Sequence, residues 1–141
     1  MPIEFRYNSD VKLVAFIHEG RVADEEFLSS YQAFLKDPKF DRYCNYLVDL
    51  RNADSTSRNP KVLLELAEFV QRNFGKSSAK INIAVVAPQA DSYNLAVMYE
   101  IFSSTMSWHF NIFYEILSAL DWLGIPLNLA DALELDHPLL S

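Results

Sequence analysis

Glycine is scarce in this sequence, and cysteine scarcer still. Of 141 residues only three are glycine, Gly20, Gly75 and Gly124, and they stand too far apart to write a glycine-rich phosphate loop or a dinucleotide fingerprint. Nucleotide binding by those routes is excluded. The one cysteine, Cys44, permits no internal disulfide and no zinc site built on several thiolates. Positive charge is also short: 12 Lys and Arg face 19 Asp and Glu, a formal net charge of −7, which is the wrong sign for gripping a phosphate backbone. Nucleic acid is therefore not an expected partner. No stretch approaches the ~20 consecutive apolar residues of a spanning helix, and the start, Met1 to Tyr7, carries Glu4 and Arg6 where a signal peptide has its apolar core. The expected setting is the reducing cytoplasm, without membrane insertion.

What is present is apolar. Half of the chain is hydrophobic and 22% charged, the balance of one globular domain that buries roughly two-thirds of its unfolded surface. Ile3 to Tyr7 and Val11 to His18, separated by Asn8-Ser9-Asp10, read as a hairpin. Both faces of the second strand are apolar, Val11, Leu13, Ala15 and Ile17 on one and Val14 and Phe16 on the other, as in an interior strand. Phe27, Leu28, Tyr31, Phe34 and Leu35 form the stripe of a helix over Ala23 to Lys36, with Asp24, Glu25 and Glu26 at its dipole-favoured start. Cys44 to Leu50 alternates as a strand, and Arg51 to Asn59 reads as a polar loop. Pro60 opens a helix to Phe74 that Gly75 closes. Lys80 to Ala87 is β-branched, nearly all apolar, and expected to be central in the sheet. Asp91 or Ser92 caps a third helix reaching Met106, apolar around most of its circumference and so expected to be buried on more than one side. Phe110 to Tyr114 is a last strand and Glu115 to Leu123 a last helix, ended by Gly124 and Pro126. The expected fold class is α/β, with element order ββαβαβαβα: a mostly parallel five-stranded sheet with an N-terminal hairpin and helices packed on it, in one domain over residues 1–124. Residues 125–141 form an apolar and acidic tail expected to pack on the domain or on a neighbour.

Several of these segments together resemble a family. They are the hairpin, the approach Gly20, Val22, Glu25, Glu26 to the first helix, Leu-Val-Asp-Leu-Arg at Leu47 to Arg51, Lys-Ile-Asn-Ile-Ala-Val-Val-Ala-Pro at Lys80 to Pro88, and the closing run Phe113 to Gly124. In that order they are similar to the small bacterial STAS-like proteins, relatives of the anti-sigma-factor antagonists. The resemblance implies a β/α superhelix, a fold shared with the CRAL-TRIO lipid-transfer domains. Two departures are visible: Ala23 stands where a capping Thr or Ser is usual, and the tail after Gly124 has no counterpart. Fold does not fix function.

Asp54-Ser55-Thr56-Ser57 resembles the Asp-Ser-Ser-Gly or Asp-Ser-Thr-Gly motif of the antagonists, in which a hydroxyl at a helix N-terminus accepts a regulatory phosphate. The resemblance makes Ser55 and Thr56 candidate phosphosites. Ser57 stands where the motif has glycine, and an ordinary loop whose side chains bond their own backbone is the preferred reading. Ligands of open α/β folds bind at the carboxyl edge of the sheet, so Asp49, Arg51, Gln89, Asp91, Ser92 and Tyr93 are candidate crevice residues. The competing reading has Asp49 bonded to loop amides or to Arg51, merely ordering that edge. Catalysis has no visible constellation. His18, His109 and His137 lie on separate elements, which excludes a helical metal pair, and no serine sits in a nucleophile elbow; neither metal nor cofactor is expected.

Ile101 to Tyr114 lacks Asp, Glu, Lys and Arg altogether. Around it Met98, Phe102, Met106, Trp108 and Phe110 either form core and a self-association surface or wall an apolar cavity. The leading expectation is a non-enzymatic domain acting by protein contact, as a homodimer and with a protein partner. The competing class is a carrier or sensor of a small apolar, lipid-like molecule, and the third is a phospho-switched antagonist using Ser55 or Thr56.

Overall fold

The computed structural model describes residues 3–39, 43–74 and 80–128. The chain runs β1 (Ile3–Asn8), β2 (Leu13–Arg21), α1 (Asp24–Lys36), β3 (Asn45–Asp54), α2 (Pro60–Phe74), β4 (Asn82–Val86), α3 (Ala90–Phe102), β5 (His109–Phe113) and α4 (Ile116–Leu123). The five strands lie in sequence order; β1 pairs antiparallel with β2, and β2 through β5 are parallel. The hairpin turn is held by the Asn8 side chain, whose Oδ1 accepts from the amides of Asp10 and Val11 at 2.9 and 3.3 Å. Sequential parallel strands require a crossover helix at each step. Residues of α1, α2 and α3 share one apolar cluster with Phe16, Tyr46, Ile83 and Val85 of the sheet, and α4 packs with Leu13, Ala15, Ile17, Leu47, Ala84 and Val86 on the other face. Crossovers on one face and in strand order are the β/α superhelix that the STAS-like resemblance implies.

Alternation along the strands separates the two clusters as the period of two demands. Val14 and Phe16 of β2 face the three helices, while Leu13, Ala15 and Ile17 face α4. The expectation of an interior second strand holds, although β2 starts at Leu13 and continues to Arg21, beyond the expected end at His18. β4 is paired on both sides but lies next to the edge strand; the middle of the sheet is β3. β3 is also longer than its apolar run, because Arg51 to Asp54, expected to be loop, continue the strand. Opposite them lie Glu19, Gly20 and Arg21, and the register shifts by one residue between the Ile17–Asp49 and Glu19–Asn52 pairs. The extra residue in β3 is a bulge, which reverses the alternation. Ala53 thereby joins Leu50 on the helix-covered side, where both line the same cavity.

The helix ends follow local chemistry with two corrections. α1 has Ala23 at its N-cap and no side-chain cap; Asp24 instead receives Arg58 and the amide of Asn59. α3 begins at Ala90 with Gln89 as N-cap and ends at Phe102, short of Met106, so neither Asp91 nor Ser92 caps it. Nor is α3 buried on several sides: Ser92 and Ala96 are its buried residues, and Ile101 is 63% exposed. Its apolar composition exceeds what one sheet face covers. α4 ends at Gly124, whose φ of +74° is the left-handed cap that a Cβ would strain. The expected tail begins well anchored, since Ile125 is buried with the α4 cluster and its amide bonds to Leu120 O at 2.9 Å. The rest of the tail beyond residue 128, and the Gly75 stop of α2, lie outside the described residues.

Candidate functional site

Between the sheet and helices α1, α2 and α3 lies a cavity of about 130 Å³. Its floor is the helix-covered face of β2, β3, β4 and β5: Phe16, Tyr46, Val48, Leu50, Ile83, Val85 and Phe110. Its roof comes from Phe27, Tyr31 and Leu35 of α1, Leu63, Leu66, Val70 and Phe74 of α2, and Leu95, Ala96 and Tyr99 of α3. The space exists because small residues stand where large ones would close it. Gly20, Ala53 and Ala96 all line it, and a Cβ placed on Gly20 would meet no atom within 4 Å. Interiors are otherwise close-packed, with few voids larger than a water molecule.

Polar groups are few and concentrated. His18 continues the inward series of Val14 and Phe16 and is only 3% exposed. Its Nε2 lies 2.7 Å from the Tyr31 hydroxyl. Burial, reinforced by the positive charge of Arg58, pushes the imidazole pKa from 6.5 down to about 3, so the ring is neutral at physiological pH. Burial likewise raises the phenols of Tyr31 and Tyr99. The Arg58 side chain, 7% exposed, donates from Nη1 to Asp24 Oδ1 at 2.8 Å and lies over the Phe27 ring at 4.2 Å. Asp54, another lining residue, accepts from the Thr56 hydroxyl at 2.6 Å and from Arg21 Nη2 at 3.1 Å. The Thr56 hydroxyl, its backbone amide and Arg21 hold the Asp54 carboxyl at about 2. Each charge on the cavity wall therefore already has a counter-charge.

The residues singled out from sequence divide. Trp108 and Phe110 line the cavity, as the apolar-wall reading requires; Met98, Phe102 and Met106 pack against the surrounding cluster without lining it. Asp49 and Arg51 do not join the crevice. Asp49 pairs with Ile17 and Val86 in register, which turns it to the α4 side, and Arg51 Nε, Nη2 and amide N bond to its carboxylate at 3.0, 2.9 and 3.1 Å. Ser92 is fully buried on the opposite side, its hydroxyl 2.8 Å from that of Ser55, while Gln89, Asp91 and Tyr93 are exposed. Ser55 and Thr56 stand ahead of the α2 N-terminus, where the Asn59 side chain accepts from the Lys61 amide at 3.0 Å. Ser55 lines the cavity; Thr56 is exposed. Cys44 is buried in the core.

Sequence reading missed Tyr31, Tyr99 and Arg58 as site residues and treated His18 only as a metal candidate. His18 carried a signal, because it follows Val14 and Phe16 at strand spacing. Arg58 carried none, since nothing local brings a loop cation to α1.

Comparison with known proteins adds a fold likeness. No family model and no curated protein matches this chain. It is similar to an uncharacterized protein of the DUF3478 family with a SpoIIAA-like fold from Shewanella loihica PV-4, at 19% identity, over 86% of this chain and 91% of that one, with a TM-score of 0.49. No helix among the described residues is long and apolar enough to cross a membrane.

Proposed function

We propose that this domain is a non-enzymatic carrier or sensor of a small apolar molecule, held in the cavity between the sheet and α1, α2 and α3. The observation that carries the reading is the cavity itself, about 130 Å³ of space with almost wholly apolar walls and a few hydrogen-bonding groups. Small-molecule sites have this character, concave and apolar with a few placed polar groups. A ligand bound only by the folded state stabilises it by RT ln(1 + [L]/Kd), about 2.7 kcal/mol at a hundredfold excess over Kd. Thermal unfolding with toluene and with decanoate tests the reading: at least one raises the melting temperature in proportion to the logarithm of its concentration. No shift with either at millimolar concentration defeats it.

The protein-contact reading keeps one supporting observation. Tyr114, Leu117, Trp122 and Leu127, on and around α4, are exposed, Tyr114 to 73%. We propose that these side chains contribute to a contact surface whose occupant is a second copy of this chain, as in a homodimer. Equilibrium sedimentation at micromolar protein is then expected to give twice the mass of the chain.

A further inference from the structure

We infer that the cavity selects a neutral molecule of single-ring size carrying one hydrogen-bonding group, which meets the hydroxyl of Tyr99. The inference deepens the carrier or sensor reading and depends on it. Three independent observations carry it: the size of the space, the state of its charges, and one hydroxyl without a partner.

Size comes first. A cavity of about 130 Å³ is close to the roughly 150 Å³ that holds a benzene molecule in a dry protein interior. A long acyl chain does not fit in that space, whereas one ring with a single substituent does. Charge comes second. Arg58 is paired with Asp24 at 2.8 Å and Asp54 with Arg21 at 3.1 Å, so an ionic ligand either breaks a pair or adds its charge to one already neutralised. A neutral ligand disturbs neither. The partner comes last. Tyr31 and His18 Nε2 share a hydrogen bond at 2.7 Å, but the hydroxyl of Tyr99, a residue that lines the cavity, has no hydrogen-bond partner among the described residues. A polar group at an apolar wall is costly to leave unmatched, and a ligand hydroxyl or carbonyl would match it.

Phenol and toluene differ by one group at nearly constant shape and separate the possibilities. Water holds phenol by its hydroxyl, so a wall without a waiting partner prefers toluene, whereas the Tyr99 hydroxyl reverses that order. Titration of the full chain, followed by amide chemical shifts, is expected to show phenol binding at least as tightly as toluene, and benzoate and decanoate at least ~tenfold more weakly than phenol. Tyr99→Phe is expected to weaken phenol ~tenfold and leave toluene unchanged. The wild-type ranking alone decides if Tyr99→Phe does not fold. Toluene binding more tightly than phenol, benzoate or decanoate matching phenol, or phenol unaffected by Tyr99→Phe overturns the inference while the carrier or sensor reading stands. Failure of all four probes to bind overturns both.

Discussion

Filling the cavity should stabilise the protein, where the same change in a close-packed core would destabilise it. Ala96 is the site to use: it is buried on α3 and lines the space, and Leu is among the best helix formers, so Ala96→Leu leaves backbone propensity nearly unchanged. The substitution adds three carbons. In a filled core such overpacking costs about 1 to 3 kcal/mol through displaced rotamers and backbone. With about 130 Å³ open in front of it, the new side chain buries its carbons at about 0.8 kcal/mol per methylene, against roughly 0.5 to 1 kcal/mol of lost rotamer freedom. The expected net is a gain of about 1.5 kcal/mol, or a melting temperature higher by roughly 5 °C for a domain of this size. Urea unfolding followed by far-ultraviolet circular dichroism measures the change, and the same samples should lose their stabilisation by toluene. Destabilisation by more than about 1 kcal/mol, with the toluene effect intact, would refute the argument that this wall faces empty space.

Other expectations concern the groups around the cavity and beyond it. The folded protein keeps His18 neutral down to about pH 3, while the unfolded chain binds that proton near pH 6.5. Its contribution is therefore complete above pH 6.5 and is lost as pH falls toward 3, at up to about 1.4 kcal/mol per pH unit. His18→Gln should flatten the stability profile over that window, and an unchanged slope counts against a neutral buried imidazole. Asp49→Ala should cost about 3 kcal/mol or more, because it removes the carboxylate that holds Arg51 at 2.9 Å. In a double-mutant cycle with Arg51→Ala the coupling should exceed about 1 kcal/mol, and additive losses would show the pair to be idle. Phe16→Ala should cost about 3 to 5 kcal/mol, since Phe16 is buried and its ring centroid lies 4.4 Å from that of Tyr31. Phe102→Ala, at a half-buried position off the cavity, should cost clearly less in the same unfolding assay. A sedimentation mass equal to one chain, unchanged by Trp122→Ser, would remove the homodimer proposal.

How much of this was legible without coordinates depends on the range of the interaction concerned. Element type and order follow from neighbours a few residues apart. Strand alternation in Val14 to Ile17, helical spacing from Phe27 to Leu35, Pro60 at a first turn and Gly124 at a left-handed cap are all local, and all stand in the structure as expected. The polar end of β3 was not legible, because Asn52 to Asp54 are held by pairing with Glu19, Gly20 and Arg21 that hydropathy does not register. The burial of α3 was overestimated for a related reason: composition states how apolar a helix is, but only its neighbours state how much of it they cover. The cavity is the extreme case. Its polar groups, His18 on β2, Tyr31 on α1, Arg58 before α2 and Tyr99 on α3, meet only after three crossovers have stacked on one face of the sheet. The empty volume is a difference between the space those elements enclose and the side chains that enter it. Sequence states every side-chain volume, but the enclosed space is set by helix-to-sheet packing, and that is decided by tertiary structure alone.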